Sequence, residues 1–468
     1  MNHEFYAHYP FALQDSTTQA FAMEWLGGKL RDLPRNWPEL DDIQDPMQRI
    51  AILSQAIATP YKEQARMGTR KDSGGFRYWV EHKSHEFLRE RLVLMKQLGL
   101  MPALPDLRAL PYGSWAMQFT FTLYKPYLSR DDTQFYILDN PVKKEKIFQV
   151  PMMAASSWKG ALRSTLMHTR LALKKDELDN EALARERLAQ TLLFGDEKGE
   201  EPGQNREMAK FVDALKPEEA RTIYEELARA YFDVASDKPL PHHAGRLRCY
   251  PTYFDRLGLE VINPHSREAS AGEQPIYFEC VPAGAQGVFT LLYVPFDLIG
   301  QPEDAVRSQV AADAQRLAQG LQAMFCTYGF GAKTSSGYGL AEETLEDAAL
   351  VLNVPDKSMA APKPSEPQLP PDIQTFRQDF PDEDFQLKPK AWRDQHRATN
   401  SERAAYTQAR EAYRQYTEQL VTYEQSLSQW QAQANAPAPQ LTRRAFTTFE
   451  GLMETARGLP IAQWGGVE

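Results

Sequence analysis

Residues 115–123 read WAMQFTFTL. Trp115, Met117, Phe119, Phe121 and Leu123 alternate with Ala116, Gln118, Thr120 and Thr122, so one face is apolar and the other small or polar. That period of two predicts a β-strand. A polar loop follows, SRDDTQFYILDNPVKKEKIFQVP at 129–151, and Ser156-Ser157 then open an amphipathic helix expected to reach about Leu173. Downstream, Ile276–Val281 and Gly287–Val294 are rich in aromatic and β-branched residues and predict two more strands. Ala305, Val306, Val310, Ala311, Ala314, Leu317, Leu321 and Met324 give a helical pattern between Glu303 and Phe325, and GFGAKTSSGYG (Gly329–Gly339) closes the unit before a final strand. Strand, helix, strands, helix, strand is the order of an α+β, RRM-like (ferredoxin-like) core.

Outward from this core, 1–112 reads as a helical N-terminal extension, with Ser16-Thr17-Thr18-Gln19 as a capping box before Phe21, Met23, Trp25 and Leu26. The core is placed at 113–350, with a charged helical insertion at about 176–240. Six prolines between Pro355 and Pro371 mark a linker over 351–372, and 373–468 reads as a helical C-terminal domain. There Tyr406, Ala409, Tyr413, Tyr416, Leu420, Tyr423, Leu427 and Trp430 recur at alternating three- and four-residue spacings. This seam suits a small helical bundle, on its own chain or on a partner.

Composition bounds the function. At 468 residues two or three units are expected, and 42% hydrophobic with 25% charged residues is an ordinary globular balance. No run approaches the roughly eighteen apolar residues of a membrane helix, and the opening MNHEFYAHYPFALQD has no signal-peptide pattern. Cys249, Cys280 and Cys326 lack C-x-x-C spacing, which excludes a cysteine zinc site and leads us to expect a reducing cytoplasm. Net charge is −10, against a non-specific nucleic-acid coat. Yet from Pro141 to Lys175 eight Lys/Arg face a single acid, Glu145.

Two motifs carry chemistry. SSWKGALRSTL (156–166) gathers the Ser156 and Ser157 hydroxyls and the amides of a helix N-terminus, with Lys159 and Arg163 one turn apart, a geometry suited to phosphate. In GFGAKTSSGYG, Gly329, Gly331 and Gly337 allow close backbone approach to a polyanion, and Lys333, Ser335 and Ser336 add charge and donors. It lacks P-loop order.

Together these motifs resemble the RAMP superfamily, the RRM-like subunits of CRISPR effector complexes. DNPVKKEKIFQVPMMAASSWKGALRS looks like that family's first-half signature, LFGD (Leu193–Asp196) its L-F-G segment, and GRLRCYPTYF (Gly245–Phe254) its central G-R-L segment. The glycine-rich loop matches in place and type. The D-N-P-V-K-K spacing is most similar to the backbone subunits of type III effectors, which implies binding of guide RNA and cutting of paired target RNA beside other subunits, with no membrane. By this resemblance Lys143, Lys144, Ser156, Ser157, Lys159, Arg163, Arg246 and the glycine-rich loop bind RNA. Asp139 takes the position of the cleaving aspartate and would hold a divalent cation, Mg2+, making the chain a metal-dependent endoribonuclease. The double glycine expected after the first strand is replaced by TLYKPYLSRDD, which makes Asp131 and Asp132 alternatives. Two other readings stand: a non-cleaving structural or capping subunit, and a guide-processing nuclease using a histidine base. His242, His243 and His265 read first as surface or hydrogen-bonded residues.

Overall fold

The computed structural model describes residues 5–9, 16–32, 40, 42–69, 74–131, 135–196, 207–216, 218–262, 276–356, 363–435 and 438–459. The chain divides into two compact units, Met1–Asn353 with Leu441–Ile461, and Val354–Gln440 with Ala462–Glu468.

The strands are β1 (Trp115–Leu123), β2 (Met152–Met153), β3 (Leu247–Cys249), β4 (Thr252–Tyr253), β5 (Gly258–Ile262), β6 (Ile276–Cys280), β7 (Gln286–Tyr293), β8 (Ala341–Asp356) and β9 (Ala438–Ala445). Five form one sheet in the order β3-β7-β1-β8-β9, and β2–β4 and β5–β6 make two small ribbons. The alternating strand lies at the centre: β1 pairs antiparallel with β7 (Trp115 opposite Tyr293) and with β8 (Trp115 opposite Leu352). Its inward side chains join the core, where Phe119 and Phe121 meet Phe289, Phe325, Trp158, Phe254 and Phe330 at ring distances of 5.0–6.1 Å. Aromatic pairs in these offset and edge geometries add to the burial energy. The fold is thus a mixed α+β structure on an antiparallel sheet.

Two helices flank this core. Ala155–Leu166 follows β1 and Glu303–Ala323 follows β7. Where they meet, a side chain on Gly320 would come within 2.8 Å of Leu166, so glycine there permits close helix packing. Neither helix ends as its sequence pattern suggests. Each passes into a π-helical turn, Met167–Ala172 and Met324–Tyr328, a local widening often found at functional sites.

The region 16–97 carries the helices Ser16–Leu26, Pro46–Ser54, Lys62–Met67, Gly75–His82 and Ser84–Gln97. Asn180–Phe194, Glu207–Asp213 and Glu218–Phe232 lie within the segment read as an insertion. Expected to be helical throughout, 373–468 instead includes β9, and Leu441–Ile461 is grouped with the first unit. Leu345 and Ala348 of β8 hydrogen-bond there with Thr447 and Phe446, and helix Phe449–Arg457 brings Phe449 onto Phe119 and Phe325.

The second unit is built on helices Pro371–Asp379, Pro389–His396 and Asn400–Asn435. Its core is Ile373, Phe376, Phe385, Trp392, Tyr406 and Ala409, with Trp392 stacked on Tyr406 at 4.4 Å. The tyrosine seam therefore begins buried in its own bundle, whereas Leu420, Tyr423 and Leu427 stay half-buried. Pro364 and Pro367 of the proline-rich segment line a shallow groove with Gln415, Gln419 and Tyr423.

Candidate nucleic-acid interface

Helix Ala155–Leu166 has three faces. Trp158, Leu162 and Leu166 are fully buried, and the Trp158 indole N–H donates to Thr252 Oγ1 at 3.0 Å, fixing the helix to β4. Ser157, Gly160, Ala161 and Ser164 form a second, small-residue face, extended by His168 from the π turn. Lys159 and Arg163 occupy a third. The helix is capped by Ala154 without a side-chain bond, so Ser156 and Ser157 lie exposed in its first turn rather than at its cap.

Backbone requirement explains the glycine-rich loop. Gly329, Gly331, Gly337 and Gly339 all have positive φ, and Lys333 is left-handed as well. A side chain on Gly331 would meet the Leu128 carbonyl at 2.4 Å, whereas at Gly337 nothing lies within 4 Å. Phe330 is buried as an anchor, with Phe330 N–H donating to Gly339 C=O (3.0 Å) and Ala332 N–H to Leu128 C=O (2.8 Å). Lys333, Ser335 and Ser336 are left exposed, the Lys333 ammonium 5.3 Å from the Phe278 ring centre.

Between that loop, the small-residue helix face and Tyr127, Ser129, Arg130 and Lys143 runs a groove of about 580 Å³. Ser157, Lys143, Gly329 and Gly331, singled out from sequence, meet here. So do Arg130, Ser164, His168 and Tyr328, which were not. His168 and Tyr328, one from each π turn, lie parallel with centres 6.2 Å apart. Ser157, Gly160, Ala161 and Ser164 recur at helical spacing opposite Trp158, Leu162 and Leu166, so this part of the face was legible. Arg130 had no such signal. Its contribution depends on a loop held by Ser129 Oγ, which accepts from Lys143 N–H at 2.8 Å.

Other residues proposed from sequence are placed elsewhere. Lys144 is buried, its ammonium bonded to Glu279 and 3.2 Å from Tyr136 Oη. That ion pair, with Val142 N–H also donating to Glu279 at 3.1 Å, shapes the loop and leaves the cation unable to reach a phosphate. Arg246 is likewise buried, paired with Asp297 and Asp313 at 2.6 Å and donating to Tyr231 Oη at 2.9 Å. Burial opposes its charge, but the bonds it donates to Asp297 and the neighbouring Tyr293 and Asp313 hold its pKa above the usual arginine range. Its position in the G-R-L segment is that of a core tie, not a surface contact. Arg163 spends its guanidinium on the carbonyls of Gly195 (3.0 Å) and Asp196 (3.1 Å), anchoring the LFGD segment. Lys159 is half-buried outside the groove lining, and burial, then Arg248 and Arg163, lower its pKa.

Asp139 is more than half exposed (58%), but its carboxylate accepts from the buried Arg66 at 2.8 Å. Arg66 also donates to the Ile137 carbonyl at 2.6 Å, so it clamps the loop from the N-terminal region. Asp131 pairs with Lys143 at 3.7 Å beside the groove, and Asp132 lies outside the described residues. Among the described residues no three His, Cys, Asp or Glu side chains converge to hold a metal. A lone carboxylate already paired with a buried guanidinium does not fit a divalent cation. His242 and His243 fasten to Asp196, by ring and backbone contacts of 2.9 and 2.8 Å, and His265 lies outside the described residues. No helix is long and apolar enough to cross a membrane, among the described residues.

Residues 113–342 match the model of the RAMP superfamily. No curated protein matches the chain. Among solved structures, the chain is similar to one in "Cryo-EM structure of the Type III-B Cmr-beta bound to cognate target RNA", at 14% identity and TM-score 0.31, covering 65% of this chain and 90% of that one. It is also similar to one in "CRISPR RNA-guided surveillance complex, pre-nicking", at 12% identity and TM-score 0.27, covering 52% and 79%. A third is Cmr6 from Pyrococcus furiosus, at 18% identity and TM-score 0.24, covering 49% and 98%.

Proposed function

We propose, from the membership of residues 113–342 in the RAMP superfamily, that this chain is a subunit of a type III CRISPR RNA-guided effector and grips guide RNA by its backbone. The order β3-β7-β1-β8, with a helix after β1 and another after β7, supports reading the core as RRM-like. The observation that carries the function is the groove itself. It gathers Arg130, Lys143, Ser157 and residues Gly329–Ala332 of the glycine-rich loop in one concave strip, and His168 and Tyr328 supply ring faces for bases. Target RNA and other effector subunits are the remaining partners, in a reducing cytoplasm.

Cations that contact phosphates release counterions, so their loss must appear in the salt dependence. Replacing Arg130 and Lys143 by Ala should weaken RNA binding across all sequences and lower the salt slope by about two, read by filter retention from low to high salt. An unchanged slope would remove the groove from consideration.

A second reading, cleavage of target RNA at this subunit, draws on the exposed carboxylate of Asp139. Only RNA has the 2′-hydroxyl, which gives up its proton and attacks the adjacent phosphate to form a 2′,3′-cyclic phosphate as the P–O5′ bond breaks and the departing 5′-oxygen takes a proton. Asp139→Ala should then abolish one cleavage band and leave target binding intact, in the assembled complex with matched RNA. Persistence of that band would shift the role to Asp131 or Asp132. No wild-type cut beside this subunit would favour the non-cleaving structural reading.

A further inference from the structure

Away from the groove, the N-terminal helices enclose a second cavity of about 870 Å³, a volume typical of small-molecule sites. It lies between the turn after helix Ser16–Leu26, the start of Pro46–Ser54 and the pair Gly75–His82 and Ser84–Gln97. Five cations line it, Lys29, Arg31, Arg49, Lys83 and Arg91, against two carboxylates, Glu86 and Glu90. This excess stands out in a chain of net charge −10. Three of the five have occupations. Lys29 pairs with Glu24 (3.4 Å), Arg91 with Asp45 (2.8 Å), and Arg49 lies over the Trp25 ring (3.9 Å) and donates to the Ile43 carbonyl. Arg31 and Lys83 have no ion pair among the described residues.

The back wall adds an independent sign. Trp79 is 3% exposed and its indole N–H has no hydrogen-bond partner among the described residues. A buried donor left unpaired costs stability, and native proteins rarely keep one without a use. The indole edge that carries it, at Cδ1, lies 3.4 Å from where a side chain on Gly28 would begin, and the Lys83 stem lies 3.6 Å from the same point. Glycine leaves this corner open. The flexible Lys83 stem shares this corner with the indole.

We propose that this cavity binds a phosphorylated ligand of nucleotide size, its phosphate oxygens taken by Arg31, Lys83 and the Trp79 N–H. The source of the phosphate is either a free nucleotide or the backbone of a single-stranded RNA. The site is separate from the groove, and the proposal stands without the function assigned there.

The test uses the full-length protein, titrated with ATP, with AMP and with a short labelled single-stranded RNA, by calorimetry and by fluorescence anisotropy. Arg31→Glu with Lys83→Glu, two surface positions, should weaken the bound probe at least tenfold, whereas Arg130→Ala with Lys143→Ala should leave nucleotide binding unchanged. Trp79→Phe should keep or raise the melting temperature of the free protein, because it removes an orphan donor, and yet weaken the ligand several-fold. Saturable binding of ATP or AMP that the charge reversal removes identifies a free nucleotide. RNA binding alone, retained in part by the groove variant and removed from that variant by the charge reversal, identifies a strand. No binding of ATP or AMP, and no RNA binding left in the Arg130→Ala with Lys143→Ala variant, or such binding that survives both the charge reversal and Trp79→Phe, overturns the proposal.

Discussion

Arg246 and Lys143 both belong to basic motifs of the same domain, and their surroundings are opposite. Arg246 is 2% exposed, in a network that runs through Asp313 to Arg316 and Glu186. Lys143 keeps about a third of its side chain in solvent, with Asp131 at 3.7 Å. In the first region charges face charges in a medium of low dielectric, where removing one partner strands the other. In the second they face water and can exchange a weak partner for a phosphate at small cost. A basic residue in a recognisable motif therefore says little about its task until its burial is known.

The largest effect that would break this contrast is at Arg246. Arg246→Ala should cost about 3–5 kcal/mol, because Asp313, fully buried, loses the guanidinium at 2.6 Å and keeps Arg316 as its remaining charged partner. Denaturant unfolding measures the loss, and RNA affinity per folded molecule should be unchanged. A stable variant that loses RNA would place Arg246 in the interface after all.

The glycine-rich loop gives an intermediate effect that separates folding from binding within one motif. Gly331→Ala should destabilise by at least about 1–3 kcal/mol, since strain at φ 90° adds to collision with the Leu128 carbonyl. Gly337→Ala meets only the backbone penalty of a left-handed residue, about 1–2 kcal/mol. Equal melting temperatures for the two would show that the loop yields at Leu128. A selective loss of RNA retention in Gly337→Ala would show that the open side of Gly337 is where the strand passes.

The smallest effect is expected at Lys159. Half-buried beside Arg248 and outside the groove lining, it should lower the salt slope by well under one when changed to Ala. Stability should move by no more than about 0.5 kcal/mol. A fall of a full unit would extend the RNA path onto the third face of helix Ala155–Leu166.

Much of the fold was written in local periodicity. The alternation at Trp115–Leu123 marked the central strand because neighbours on a strand point to opposite faces. Trp158, Leu162 and Leu166 likewise marked the buried face of their helix. The π turns were hidden, because they continue a helical pattern, and with them went His168 and Tyr328. The strand at Ala438–Ala445 and the return of Leu441–Ile461 to the first unit were also missed, since that segment follows a long helix and pairs with β8 far back in the chain.

By itself the sequence determined the α+β order, the helix with its two serines, the glycine-rich loop and the position of the basic run. Tertiary structure alone decided which cations are available. Arg66 meets Asp139 across 73 positions, Lys144 meets Glu279 across 135, and Arg246 meets Asp313 across 67. Periodicity records whether a side chain faces inward, and it does so over a few residues. Whether a buried charge has a counter-charge depends on which distant segment packs against it, and no local pattern carries that information.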